Sequence, residues 1–340
     1  MTKATRRPRV TAADIARSVG VSRATVGFVL NETPGQTISQ STRDRVLEAA
    51  ARLGYRPHTA AQALASGRSR VVLLVLPDWP VDYSMRRCLE EASLTLDRHG
   101  YSLVTYTPHT SGRARPLWES LDPDVVIGFT PFGVDDVASM EACGITKIIP
   151  RPAEQSPFWQ ATAAGAGSAL QVEHLHELGH RRLAFAASGD PRIQMLVQER
   201  LLAAQDRVGS LGLSPLDVRK IDHRDGSADQ AARHWQGAGV TGVVAYNDDI
   251  AAAFTGAAIR AGLSVPGDLS VIGHDDGPLA AMFVPSLSSI RVDTVGLGVH
   301  LAELALQEAE GRPPSQPELD MGATLVVRES TRDERDGANT

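Results

Sequence analysis

Three groups of residues in this 340-residue chain have types and spacings that could do chemistry. The first is His174, His176 and His180. On a helix His174 and His176 point to different faces, and only His176 and His180 are neighbours, so no metal site is expected. The second is the carboxylate pair Asp275–Asp276. Two adjacent residues at a strand end cannot both face one ligand, which argues against acid–base catalysis. None of Lys3, Lys147 and Lys220 follows a glycine, so there is no phosphate-cradling Gly-Lys loop, and no Gly-x-Ser-x-Gly elbow occurs. The chain is therefore expected not to be an enzyme and to need no cofactor. The third group is Thr11, Ser22, Ser39 and Thr42, hydroxyls at or near expected helix starts. There a side chain caps the helix, and free backbone N–H groups can bind phosphate.

The elements that must position these hydroxyls are short. Thr11 with Asp14 opens a helix to about Ser18, and Val19-Gly20-Val21 turns tightly. Ser22 caps a second helix to about Asn31. Thr33-Pro34-Gly35-Gln36 is a loop, and Ser39 caps a third helix from about Gln40 to Leu53, which Gly54 ends. The layout is a helix-turn-helix, whose second helix lies in the DNA major groove. Charge supports a polyanion at this end. Residues 1–70 carry twelve lysines and arginines against four acids, a net of +8, whereas the remainder carries 22 against 36, a net of −14.

Pro57 is a breaker, and the Ala-rich stretch from His58 to Ser66 is too short to be a stable isolated helix. It needs DNA or a second copy of itself to order. Beyond the Gly67-Arg68-Ser69 linker, apolar runs at Val71–Leu76, Tyr101–Tyr106, Val125–Phe129, Lys147–Ile149, Leu183–Ala187, Gly242–Ala245 and Leu269–Ile272 read as buried parallel strands. Helical patterns alternate with them, over about 84–99, 164–178, 194–211, 228–236, 249–261 and 295–310. That alternation predicts a parallel α/β architecture, and its length predicts two lobes. The expected fold is thus an all-α helix-turn-helix headpiece (1–57), a hinge (58–69) and a two-lobed sensing and dimerisation domain (70–330). Lobe 1 takes about 70–162 and 293–312, lobe 2 about 163–292 and 313–330, and 331–340 is expected to be a disordered tail. A composition of 42% hydrophobic and 22% charged residues is that of a soluble globular chain. No run of about 18 apolar residues occurs, and no apolar segment follows Lys3, Arg6, Arg7 and Arg9, so a cytoplasmic location is expected. Cys88 and Cys143 form no disulfide framework and are expected to be buried as small hydrophobes.

Several separated blocks carry a specific resemblance. Val10-Thr11-Ala12-Ala13-Asp14-Ile15-Ala16, Gly20-Val21-Ser22-Arg23-Ala24-Thr25-Val26, Val29-Leu30-Asn31, Thr42-Arg43-Asp44-Arg45-Val46 and Leu53-Gly54-Tyr55-Arg56-Pro57 resemble the headpiece of the LacI/GalR family of bacterial regulators. Ala60-Ala61-Gln62-Ala63-Leu64-Ala65 looks like its hinge helix. Glu173-His174-Leu175, Leu178-Gly179-His180-Arg181-Arg182, Tyr246-Asn247-Asp248-Asp249, the stretch from Pro266 to Asp276 and that from Pro285 to Ile290 extend the likeness to nearly the whole chain.

The resemblance implies a homodimeric transcription regulator, most simply a repressor. Two headpieces bind a near-palindromic operator, and a small molecule, a sugar or related metabolite, binds between the lobes. The alternative is a DNA-binding regulator with a vestigial pocket and no effector. No membrane partner is implied. Arg23, Ala24, Thr25, Gly27 and Phe28 then face the groove, with Asn31 at the end of the same helix. Arg23 reads guanine or holds a phosphate. Phe28 stands where many members have Arg; it touches a thymine methyl or packs on the third helix. Tyr55, Arg56 and His58 reach the DNA backbone. Ala61 and Leu64 lie in the hinge, where Leu64 wedges into the minor groove or packs against its partner copy. In the cleft, Arg200 is the effector-binding arginine, Asn247 and Asp275 bond to ligand hydroxyls, and of Asp78 and Trp79, which follow the first strand, the aromatic stacks on a sugar face or closes the cleft. Asp248 reads as an N-cap. Departures at Ile149-Pro150-Arg151, at residues 161–164 and at Ala203-Ala204 point to an unusual sugar derivative, a non-sugar or no ligand.

Overall fold

The computed structural model describes residues 10–30, 35–55, 68–109, 112–151, 154, 166–312 and 322–334. The chain divides into two compact units, residues 1–70 and 71–340.

The first unit is three helices, α1 (Ala12–Val19), α2 (Arg23–Leu30) and α3 (Gln40–Leu53). Each begins at a side chain that occupies orphan helix-end groups. Asp14 Oδ2 accepts the backbone N–H of Thr11 at 2.9 Å and its hydroxyl at 2.7 Å. Ser22 Oγ accepts the N–H of Thr25 at 3.0 Å, and Ser39 Oγ accepts that of Thr42 at 3.4 Å. Gly20 closes α1 at φ 74°, a left-handed geometry that any other residue would enter only at a cost. The apolar residues at helical spacing, Ile15, Val19, Val26, Val29, Val46 and Ala49, meet in one core. Val21 and Leu53 pack against it as partly buried neighbours. Arg45 Nη2 donates to Val19 O at 2.5 Å, which ties α3 to the turn before α2.

The second unit holds two parallel four-stranded sheets. The first orders β2 (Ser102–Tyr106), β1 (Val71–Val75), β3 (Val125–Gly128) and β4 (Ile148–Ile149). Its faces are covered by α4 (Tyr83–Arg98), α5 (Trp118–Leu121), α6 (Val134–Ala142) and α12 (Thr294–Glu310), forming lobe 1. The second orders β6 (Asp217–Ile221), β5 (Leu183–Ser188), β7 (Gly242–Ala245) and β8 (Ser270–Ile272). With α7 (Ala166–Glu177), α8 (Gln194–Ser210), α9 (Ser227–Gly237), α10 (Asp248–Arg260) and α11 (Pro278–Met282) it forms lobe 2. β9 (Ser289–Val292) and β10 (Ala323–Val326) make an antiparallel pair packed against α7. α12 returns to lobe 1 and crosses α4 so closely that a side chain at Gly298 would collide with the Cys88 carbonyl. Among the described residues no helix is long and apolar enough to cross a membrane.

The buried central strands follow the apolar runs. β6, β9 and β10 were not expected, because none is a continuous apolar run. β6 is an edge strand of alternating burial whose Arg219 and Lys220 interrupt the pattern. Two further expectations are corrected. Cys88 is buried, but Cys143 caps the C-terminus of α6 and is exposed. Residues 331–334 are not a loose tail. Ser330 and Thr331 are buried, Ser330 Oγ donates to Val271 O at 2.6 Å, and Glu334 N donates to Leu178 O at 2.8 Å. His174 and His180 face this segment: His174 Nε2 lies 3.0 Å from Thr331 Oγ1 and His180 Nε2 3.0 Å from Ser270 Oγ. Burial lowers the pKa of both imidazoles. Residues 335–340 lie outside the described residues.

Candidate functional site

Two surfaces carry the sequence-predicted residues. On the headpiece, Ser22, Arg23 and Ala24 are exposed at the start of α2, while Thr25, Gly27 and Phe28 are half-buried. Arg23 has no hydrogen-bond or salt-bridge partner among the described residues, so its guanidinium is available. Phe28 is not among the residues packed on the headpiece core. Thr11 and Ser39 are exposed, and Thr42 and Tyr55 are half-buried. Tyr55 packs its ring against the core of the three helices. Asn31, Arg56, His58, Ala61 and Leu64 lie outside the described residues, and with them the hinge.

The second surface is a cleft of about 410 Å³, within the usual range for small-molecule sites. Its position follows from strand order. Both sheets reverse direction of winding beside their first strand, and ligands settle at the C-terminal ends of strands at such a switch point. The loops after β1, β3, β5, β6, β7 and β8 all reach it, through Trp79, Phe129, Asp190, Asp222, Asn247 and Asp275. Trp79 meets Phe129 edge-on, with ring centroids 6.4 Å apart.

Arg200, from α8, is fixed at the base of the cleft. It donates from Nη1 to Tyr246 O at 2.6 Å and from Nη2 to Asp275 Oδ1 at 2.9 Å, and its guanidinium lies 4.7 Å from the Tyr246 ring centroid. His274 Nδ1 lies 2.7 Å from the same Asp275 oxygen. Burial, reinforced by the charge of Arg200, lowers the pKa of His274, so the neutral ring donates its Nδ1–H. Burial alone would raise the Asp275 carboxyl, but Arg200 and His274 outweigh it and hold it well below the usual carboxylate range. Asp275 is thus a buried anion, held at φ 96° in a region that non-glycine residues rarely enter.

Its neighbour serves another purpose. Asp276 accepts from Arg328 Nη2 at 2.5 Å and Arg291 Nε at 2.7 Å, and so clamps β9 and the segment after β10. The two carboxylates diverge. Asn247 lines the cleft, and its Oδ1 caps α10 by accepting from Ile250 N at 3.0 Å. Asn247 is therefore the N-cap, and the reading of Asp248 in that role is corrected. Asp248 turns inward, accepting from Ser289 Oγ at 2.6 Å and Gly277 N at 2.7 Å. Burial pushes its carboxyl up to about 7. Trp79, Arg200, Asn247 and Asp275 come together at the cleft, but Asp78 does not line it. Asp78 is exposed on the rim, 3.9 Å from Arg192.

Several lining groups went unrecognised in the sequence. Asp82 caps α4 through Met85 N at 2.8 Å and faces the cleft, where burial and repulsion by Asp275 push its carboxyl up to about 6. Tyr246, Glu199 and Asp249 also line it. Two Asp-x-Arg turns, Asp190-Pro191-Arg192 and Asp222-His223-Arg224, follow adjacent strands β5 and β6 with one geometry. In each the arginine Nε and Nη2 bracket the two aspartate oxygens at 2.6–3.0 Å. That repeat was the available signal. Among the described residues no group of three His, Cys, Asp or Glu is arranged to hold a metal ion.

Comparison with known proteins agrees with both surfaces. Residues 11–58 match the family described as bacterial regulatory proteins, lacI family, and residues 172–331 match a periplasmic binding protein-like domain. The chain is 32% identical to the HTH-type transcriptional regulator MalR of Streptomyces coelicolor, over 94% of this chain and 96% of that protein. It is 29% identical to the HTH-type transcriptional regulator GalS of Salmonella typhimurium, over 93% of each. A solved structure of the Lac repressor dimer bound to operator and the anti-inducer ONPF superposes with a TM-score of 0.77 at 25% identity, covering 96% of this chain and all of that one.

Proposed function

The chain belongs to the LacI family of bacterial DNA-binding transcription regulators, and on that premise we propose that it is a homodimeric repressor whose operator affinity is set by a small metabolite held in the cleft between its two lobes. The observation that carries this reading is the Arg200–Asp275 pair: a preformed, buried ion pair at the floor of a cleft built by strand ends of both lobes. Such a floor offers fixed polar groups to a ligand, and the aromatic wall of Trp79 offers a surface to its C–H face. Lobe closure on that ligand changes the spacing of the two hinges, and so the fit of two headpieces to two half-sites.

The headpiece supplies the DNA contacts. Exposed Arg23 reads a base edge, and the N-termini of α2 and α3 carry free N–H groups for phosphate. The chain performs no catalysis. Asp275 and Asp276 are each committed to cationic or imidazole partners and point apart, so this adjacent pair does not address one substrate atom. Its site of action is the cytoplasm, where the operator is.

The test is a selection from a random duplex library at moderate ionic strength, repeated with a metabolite extract. A pseudo-palindromic consensus whose affinity changes with the extract supports the reading. No enriched sequence under either condition overturns it.

A further inference from the structure

The charges around the cleft do not balance. Its lining includes six carboxylates, Asp82, Asp190, Glu199, Asp222, Asp249 and Asp275, and three arginines. Each arginine is already taken: Arg192 by Asp190 at 2.6 Å, Arg224 by Asp222 at 2.7 Å and Arg200 by Asp275 at 2.9 Å. The two Asp-x-Arg turns neutralise themselves locally, and Arg200 is absorbed by the floor. Asp82, Glu199 and Asp249 remain without a salt bridge among the described residues.

These three stand in surroundings that disfavour their charge. Burial and repulsion by Asp275 raise the pKa of both Asp82 and Asp249, and Asp249 in turn repels Asp82. Burial raises that of Glu199, whose Oε2 is buried with no hydrogen-bond partner. Beside them Tyr246 is 95% buried and lines the cleft, yet its hydroxyl has no hydrogen-bond partner among the described residues. Ser84 Oγ, on the same wall, is also buried and unpartnered. Buried polar groups are normally satisfied, so Glu199 Oε2 and the Ser84 and Tyr246 hydroxyls, all unpartnered around one cavity, mark the place of an absent polar ligand. Repelling carboxylates left without a cation identify that ligand as positively charged.

We propose that the effector carries a protonated amine, seated between Asp82 of lobe 1 and Asp249 of lobe 2. This rests on the effector-binding reading above and narrows it to amine-bearing metabolites, such as amino sugars or other basic polyols. Trp79 and Tyr246 line the same cleft. Because the two aspartates come from different lobes, the ammonium converts a repulsion across the cleft into an attraction. The same group that confers selectivity thereby drives closure. A neutral isostere leaves both carboxylates unpaired and loses the closing force.

The experiment uses full-length protein and a metabolite extract of its source cells, split on a cation exchanger into retained and flow-through fractions. Thermal shift is read at pH 7, where an aliphatic amine carries its proton. The retained fraction is expected to raise Tm by several degrees and the flow-through to leave it unchanged. The D82N/D249N variant should lose at least nine-tenths of that shift. Asparagine still caps α4 at position 82, and removing two repelling charges should leave the unliganded Tm at or above that of wild type, which controls for folding. A shift confined to the flow-through overturns the amine while the effector reading stands. A retained-fraction shift that survives in D82N/D249N overturns the assigned position. No shift from either fraction overturns the effector reading itself.

Discussion

Arg200 and Asp275 share one 2.9 Å ion pair in which the arginine is four-fifths buried and the aspartate more than nine-tenths. Removing one partner of such a pair costs far more than the pair contributes, because a charge is left in a low-dielectric site. Arg200→Ala should therefore destabilise the sensing unit by about 3–5 kcal/mol in urea unfolding. Adding Asp275→Asn should recover part of that loss, since the orphaned charge is then gone. Arg200→Lys should not rescue, because an ammonium cannot reach Tyr246 O and Asp275 Oδ1 in the fork that the guanidinium spans. A double variant no more stable than Arg200→Ala would refute that recovery.

Asp248 gives a pH signature of opposite sign to ordinary carboxylates. Its folded pKa is raised from 3.8 to about 7. The folded state then binds the proton more tightly than the unfolded state, so the stability contribution is complete below about pH 4. It is lost as pH rises from about 4 to 7, on the order of 4 kcal/mol in total. Asp248→Asn mimics the protonated acid. Its stability relative to wild type should climb across that window and level off above it. Urea midpoints at half-unit steps from pH 4.5 to 8 measure this, and a flat difference would refute the assignment.

The fold was legible where burial is two-sided. Val71–Val75 and Gly242–Ala245 are apolar without interruption because both faces of a central parallel strand are covered. The edge strand Asp217–Ile221 was not, since one of its faces is wet. In the cleft, Arg200, Asn247 and Asp275 were found through family likeness and strand-end position. Asp82 and Tyr246 were missed for a different reason. One is a helix cap by type and the other an apolar strand end, and only the tertiary crossing of two lobes turns both toward one cavity. The C-terminal segment was misjudged because charge at Arg332, Asp333 and Glu334 resembles a solvated tail. The anchors, Ser330 and Thr331, are small polar residues whose burial has no periodic signature.

Ser330 tests that anchoring directly. Its hydroxyl donates to Val271 O at 2.6 Å and accepts from Ser288 N at 2.8 Å, with no exposed surface. Alanine leaves a buried donor and a buried acceptor unsatisfied, at about 1–3 kcal/mol each. Ser330→Ala should lower the unfolding free energy by about 2–6 kcal/mol and raise hydrogen exchange at Val271 and Ser288. A change under about 0.5 kcal/mol would place it with ordinary surface substitutions.

Arg23 is the sharpest test of the DNA surface. It begins α2, is exposed, and has no partner among the described residues to hold it back from a base or a phosphate. The two roles predict different outcomes once a consensus operator has been selected. If its fork meets guanine O6 and N7, Arg23→Ala costs about 1–3 kcal/mol on the consensus site and relaxes preference at a single position per half-site. If it neutralises a phosphate, the loss is uniform across operator variants, and the slope of log affinity against log salt falls by about one unit. Ser22→Ala serves as the companion. It removes the side chain that accepts Thr25 N at 3.0 Å, so about 1 kcal/mol of headpiece stability should go without a change in base preference. Affinities over a panel of single-base operator variants, measured at two salt concentrations for each protein, separate these cases. Base preference unchanged in Arg23→Ala would remove Arg23 from base reading.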